Sequence, residues 1–285
     1  MTIPEYPECD LTGDKVRAFV ETVMREGGAR YRDFAWRRTT DPYAILVSEV
    51  MLQQTQVARV ERYFEAWMAA FPTADALTAA STSDVLERWQ GLGYNRRALM
   101  LKRAVEIISE QYAGVVPTER DELLALPGVG PATAAGIEAF AFNEPAVYLE
   151  TNVRTVVLHE LFPDEDEVSD RAVHEVLEVA AERCAAQGVE PRAWNYALLD
   201  YGAWLKKAFV NPSRRSKHHT RQSTFEGSRR QKRAALLRLL LEEPAQSAAE
   251  LAQVVGYDLD LVEDILGDLV DEGFLVQIQG LYRAG

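Results

Sequence analysis

The stretch LPGVGPATAAGI, residues 126–137, places two glycines and a proline between two apolar segments with helical spacing. Gly128 and Gly130 permit backbone angles closed to other residues. Pro131 suits the first turn of a helix, where its missing N–H is no loss. The stretch therefore reads as helix, tight hairpin, helix. Bare backbone amides stand at the start of the second helix, and such an end attracts a phosphate. Read alone, the pattern is equally a plain corner between two helices.

Outward from the hairpin, apolar residues recur at spacings of three and four almost throughout, and alternating patterns are missing until the end. Helices are expected over Gly13–Glu26, Tyr43–Phe71, Ser83–Gly91, Arg96–Tyr112, Glu119–Leu126, Ala132–Phe142, Asn152–Leu161, Arg171–Ala186 and Pro191–Ala208. Asn211–Ser228 has almost no apolar residues and reads as a long loop. A small module follows. It has a helix over Arg230–Leu241, a second helix opened by a capping box at Ser247, and a third over Asp258–Glu272. FLVQIQGLYR then reads as two short strands around Gly280. Three helices and a terminal hairpin is the winged-helix order. The division expected is 1–208, a linker over 209–228, and 229–285.

Composition narrows the classes. The chain has 285 residues, 47% of them hydrophobic, enough for a sizeable core. No apolar run reaches the roughly 18 residues that cross a membrane. The start, MTIPEYPECDLTGDK, has neither basic nor apolar signal region, so a cytoplasmic, nucleoid-associated home is expected. Two cysteines, Cys9 and Cys184, are too few for a disulfide framework or a four-thiolate iron–sulfur site. His218 and His219 have no acid or cysteine ligand near them in sequence, and no metal is expected there.

The net charge of −13 hides a segregation. Lys206–Arg233 holds ten Lys and Arg against one acid, a local +9, while the rest carries −22. Such a patch is a nucleic-acid footprint or a solvated linker.

Two acids stand out. In SEVMLQQTQV, residues 48–57, Glu49 lies in an apolar run, one helical turn from Ile45 and Leu46 and one from Leu52 and Gln53. Apolar neighbours raise a carboxyl pKa, which suits a proton donor near neutral pH. The plainer reading is a glutamate at a helix edge. In YLETNVRTV, residues 148–156, Glu150 lies before Asn152, a plausible helix cap. Two carboxylates in one cleft would follow glycosidase logic. Spacing does not show that these two converge.

DPYAILVSEVMLQQTQV, GLGYNRRA and LPGVGPATAAGI together resemble the helix-hairpin-helix DNA glycosylases, and among them the MutY-type adenine DNA glycosylases, over roughly Phe34–Leu205. The resemblance implies an all-α fold of two helical lobes with a cleft, followed here by the winged-helix-like module. It implies that Glu49 protonates a flipped base in duplex DNA. It implies that Gln53 and Gln54 fill the hole left behind and that Tyr94 wedges at the opposite base. Trp36 and Arg37 match the pocket wall. Gly128, Gly130 and Thr133 belong to the phosphate clamp, whose carbonyls in relatives also hold a monovalent cation.

The chain departs from the family at several positions. Bifunctional relatives carry a lysine two residues after the hairpin's last glycine. Ala132 stands here, which implies no Schiff base and no strand cleavage. Glu150 stands where relatives have the catalytic aspartate, and Tyr196 where they read the purine. Leu205 stands where the first cluster cysteine would be, so no iron–sulfur cluster is expected. The basic loop, with Arg214, Arg215 and Lys217, is expected to grip phosphates in its place.

The 8-oxoguanine-sensing domain is replaced by the small module. Its third helix has seven acids and no Lys or Arg. It is expected to pack on the catalytic domain or bind a protein rather than DNA. The activity expected is monofunctional excision of a mispaired or damaged base, adenine first. Uracil or thymine from a mismatch, or DNA binding without catalysis, are the alternatives.

Overall fold

The computed structural model describes residues 13–165, 167–209 and 225–285. Its helices are α1 (Gly13–Gly28), α2 (Pro42–Leu52), α3 (Val57–Ala70), α4 (Ala74–Ala79), α5 (Thr82–Trp89), α6 (Arg96–Gln111), α7 (Arg120–Ala125), α8 (Pro131–Phe140), α9 (Thr151–Glu160), α10 (Asp170–Ala186) and α11 (Pro191–Ala208). The C-terminal part adds α12 (Arg229–Glu242), β1 (Gln246–Ser247), α13 (Ala248–Val255), α14 (Leu259–Asp271), β2 (Leu275–Ile278) and β3 (Leu281–Ala284). The helical class expected from the spacing is what is seen. Among the described residues no helix is long and apolar enough to cross a membrane.

The described residues form two compact units. One holds 13–46, Thr118–Leu124 and 129–209. Here α11 is the central helix, with Trp194, Leu198 and Leu205 buried. Glycines set how closely its neighbours approach. A Cβ on Gly27 of α1 would stand 2.3 Å from the Ala197 carbonyl oxygen, and one on Gly202 would stand 2.1 Å from that of Asn152. Any larger residue would push α1 or α9 off α11. An Arg120–Glu138 ion pair clasps α7 to α8. Burial raises the Glu138 carboxyl above its ordinary value, and Arg120 works against that.

The other unit holds Val47–Pro117, Ala125–Gly128 and 225–285. Trp67 and Trp89 meet edge-to-face at 5.3 Å in its core. Ser81 and Asp84 form a capping box that starts α5. The single helix expected over Tyr43–Phe71 is in fact two, α2 and α3. Gln54 takes a positive φ of 53°, and the Arg97 guanidinium donates to the carbonyls of Val50, Met51 and Gln53 at 2.8, 2.9 and 2.6 Å. Carbonyls that would have bonded onward along the helix are answered from the side instead.

The C-terminal residues of this unit carry three helices and an antiparallel sheet ordered β1–β3–β2. The Ser247–Glu250 capping box is present as expected. Gln279 and Gly280, both at positive φ, turn β2 into β3. The two-residue β1 was not legible in the sequence. The acids of α14 are not an idle face. Arg229 donates to Asp264 and Asp268 at 2.7 and 2.6 Å, and Arg233 donates to Glu272 at 2.9 Å. Two arginines of the basic stretch Lys206–Arg233 are thereby paired within the module.

Candidate active site

Glu49 sits on α2 with Ile45, Leu46, Val50 and Met51 buried around it, and is itself only 6% exposed. One turn on, α2 ends under the Arg97 clamp. Arg97 also donates to the Thr55 hydroxyl and the Gly93 carbonyl, each at 2.9 Å. Burial pushes its guanidinium down to about 10. These five oxygens hold one cation in place, and the cation fixes the segment after α2 against Gly93.

Gln53 follows. Its Nε2 donates to the Gly128 carbonyl at 3.0 Å, tying the end of α2 to the hairpin. Gly128 has φ +80°, and a Cβ there would stand 2.9 Å from the Met100 Cβ, so both backbone and space require glycine. Pro131 stands in the first turn of α8, as the sequence predicts, but Gly130, which caps that helix, has extended backbone open to any residue, so the need for glycine read there from the sequence is not seen. Thr133 lies buried one turn in. Tyr94 is 38% exposed and held at φ +48°, a conformation uncommon outside glycine. Glu49, Gln53, Gln54, Tyr94 and Gly128 all belong to the same unit.

Glu150 and the pocket-wall residues belong to the other unit. Glu150, rather than Asn152, is the cap of α9. Its Oε1 accepts from the Asn152 amide at 2.6 Å. Asn152 occupies the first turn, and its Oδ1 accepts from Lys206 Nζ at 2.7 Å. Burial holds the Lys206 ammonium below its ordinary value, Glu150 raises it and Arg154 lowers it. A carboxylate, a helix N-terminus and an ammonium are therefore built as one cluster.

Trp36 stacks on Phe34 at 4.8 Å. Arg37 is buried, and its guanidinium donates to both Asp200 oxygens at 2.7 and 3.0 Å. It also lies 4.2 Å from the Tyr196 ring centroid, while Phe140 stacks on that ring at 4.5 Å. Arg37 thus fixes the Tyr196 ring in place.

Arg97, Asp200 and Lys206 went unread in the sequence as parts of a site. Each acts on a residue far along the chain, so no local pattern marks it. Arg214, Arg215, Lys217, His218, His219 and Cys9 lie outside the described residues. Cys184 is buried in α10, where burial pushes its thiol up to about 12, far from a thiolate ligand. The hairpin's carbonyls are oxygen donors of the kind a hard monovalent cation takes, though the Gly128 carbonyl already accepts from Gln53.

Residues 47–182 match the family described as HhH-GPD superfamily base excision DNA repair protein. The adenine DNA glycosylase of Mycobacterium tuberculosis (strain CDC 1551 / Oshkosh) is 34% identical over 260 residues, covering 82% of each chain. That of Mycolicibacterium smegmatis is 46% identical over 127 residues, 44% of this chain and 43% of that protein's length. Among solved structures, a thermostable thymine-DNA glycosylase superposes with a TM-score of 0.58 at 27% identity, covering 68% of this chain and 88% of that one. The chain belongs to the HhH-GPD superfamily of base excision DNA repair proteins, as a DNA glycosylase of that family.

Proposed function

We propose that the protein removes adenine from a mismatch in duplex DNA by hydrolysing its N-glycosidic bond, and leaves the strand uncut. The observation that carries this reading is the α2–hairpin piece. The buried Glu49 carboxyl lies one turn before Gln53, and Gln53 is tied to the Gly128 carbonyl. A buried acid, a side chain for the vacated stack and the first half of the hairpin, up to Gly128, are thereby held in one unit.

In this mechanism the hairpin amides and the cationic surface hold the backbone. Gln53 and Tyr94 open the stack, Gln53 filling the hole left behind and Tyr94 wedging at the opposite base. The base enters a pocket bounded by Trp36 and by Tyr196, whose ring Arg37 and Phe140 fix. Glu49 donates a proton to the base, making it a better leaving group. Glu150, anchored by the α9 N-terminus and Lys206, stabilises the cationic sugar or orients water. Ala132 offers no amine at the position where bifunctional relatives carry lysine, which supports hydrolysis without strand cleavage. Likeness to adenine DNA glycosylases supports adenine as the base. The enzyme works on chromosomal DNA in the cytoplasm.

The reading includes no iron–sulfur cluster. The purified protein should be colourless and stay folded in chelator; a brown preparation with stoichiometric iron would contradict this. A monovalent cation on the hairpin carbonyls would screen the phosphate there.

A second reading, thymine or uracil from a mismatch, is favoured by Tyr196 and by the likeness to a thymine-DNA glycosylase. The test is incubation with duplexes carrying A, T or U in mismatches, followed by alkali. Alkali-dependent cleavage at adenine supports the first reading, and cleavage at thymine or uracil alone supports the second. Cleavage of none, with binding retained, would leave a DNA-binding protein without catalysis. Cleavage before alkali would contradict the monofunctional assignment.

A further inference from the structure

Trp36, Arg37 and Tyr196 form a wall within one unit, and the aromatic rings of that wall differ in what they offer. Trp36 is 4% exposed and stacks on Phe34. Tyr196 is 6% exposed. Phe140 lies parallel to its ring, with 4° between the planes, and the Arg37 and Arg192 guanidinium groups stand 4.2 and 5.7 Å from its centroid. Both rings are covered by the protein's own side chains, so neither presents an open face to a base.

Tyr31 is the contrast. It is 52% exposed, yet its ring meets Tyr196 edge-on at 6.5 Å and lies 5.4 Å from the Arg37 guanidinium. A tyrosine on a surface loop is ordinarily a solvated side chain. Here the backbone on both sides of it is held. The Tyr31 amide donates to the Gly28 carbonyl at the end of α1, at 3.4 Å. The Arg32 amide and Nε donate to the Asp200 carboxylate at 3.2 and 2.5 Å, and Arg32 Nη2 donates to the Leu199 carbonyl at 3.2 Å.

Arg37 closes the arrangement. Its Nη1 donates to the Arg32 carbonyl at 3.1 Å while also bonded to Asp200. Asp200 is buried on α11. One carboxylate therefore ties the loop after α1, the Arg37 side chain and, through Arg37, the Tyr196 ring to the same helix. An open ring on backbone fixed in this way loses less freedom on stacking than a ring on a loose loop.

We propose that Tyr31 is a further base-contacting residue, which stacks on the extruded base while Trp36 and Tyr196 form the wall behind it. The assignment rests on the glycosylase reading and on the pocket placed at Trp36 and Tyr196. It deepens that reading by separating two tasks. Every base has a π face, so the Tyr31 contact sets how firmly an extruded base is held and leaves the choice of base to hydrogen-bonding groups.

The test is equilibrium binding of wild type, Tyr31→Ala and Tyr31→Phe to three mismatched duplexes. One carries 2′-fluoro-2′-deoxyadenosine, one carries 2′-fluoro-2′-deoxyuridine, and one carries a tetrahydrofuran abasic site. The fluorine disfavours a cationic sugar, so the base stays attached. Tyr31→Ala should bind the base-bearing duplex that wild type holds more tightly roughly five- to a hundredfold more weakly, the span of one base–aromatic stack. It should bind the abasic duplex as wild type does. Tyr31→Phe keeps the ring and should match wild type on all three.

An equal loss on base-bearing and abasic duplexes would make Tyr31 a general backbone contact and overturn the proposal. No loss on any duplex would overturn it as well, with the glycosylase reading left standing. Wild type that binds none of the three would remove both. Because none of these duplexes is cleaved, the expected pattern in a protein that excises nothing would keep the Tyr31 contact and remove only the activity.

Discussion

At the scale of single residues, the sequence pointed to chemistry but not to its supports. Glu49 was legible because a carboxylate in an apolar helical run is anomalous by itself. Lys206 was not, because its meaning depends on Asn152, 54 positions away. Lys206→Met should leave DNA binding in place and lower the single-turnover excision rate roughly tenfold to a hundredfold, as expected for a displaced Glu150 carboxylate. Lys206→Arg should restore part of the rate. Equal losses in binding and rate would make Lys206 a general structural contact instead.

Cys184 gives a prediction with a definite sign. Burial raises its thiol from 9.0 to about 12. Above pH 9 the unfolded thiol releases its proton while the folded one keeps it, so stability contributed by the neutral thiol is lost as pH rises toward 12. The slope for one such proton is about 1.4 kcal/mol per pH unit. Denaturant melts of wild type and Cys184→Ala between pH 9 and 12 should converge by that slope. Parallel curves would contradict it.

At the scale of elements, most helices and the Ser247 capping box follow from local pattern, because caps and apolar spacing lie within a few residues of each other. The exceptions are instructive. Tyr43–Phe71 has unbroken helical spacing, yet Arg97 stops α2 by binding its last carbonyls from 44 to 47 positions away. No window over residues 43–71 contains that cation. β1 exists because β3 offers Gln246 and Ser247 an edge. The cap of α9 fell on Glu150 instead of Asn152, two residues from the expectation, since either side chain suits the turn.

Arg97→Met should therefore expose the Val50, Met51 and Gln53 carbonyls without a donor. The expected cost is roughly 3 kcal/mol, as for a charged hydrogen-bonding group lost from a partly buried network. Excision should fall with it, since Gln53 loses its fixed position against Gly128. Chemical melts of the variant beside wild type read the first effect. A change under about 0.5 kcal/mol would show that α2 ends for local reasons.

At the scale of the whole molecule, the family and the helical class were legible because three motifs occur in fixed order. The role of the C-terminal module was not. Counting charges along α14 gave seven acids and no base, and in the folded chain three of them, Asp264, Asp268 and Glu272, pair with Arg229 and Arg233. Charge read along a sequence does not reveal which charges neutralise each other.

The account's central claim is that Glu49 protonates the departing base, and single-turnover excision by Glu49→Gln on a mismatched duplex tests it most directly. The amide nearly matches the acid in shape but cannot act as it. The account predicts a rate at least about a hundredfold below wild type, with duplex affinity nearly unchanged. Excision at the wild-type rate would contradict it.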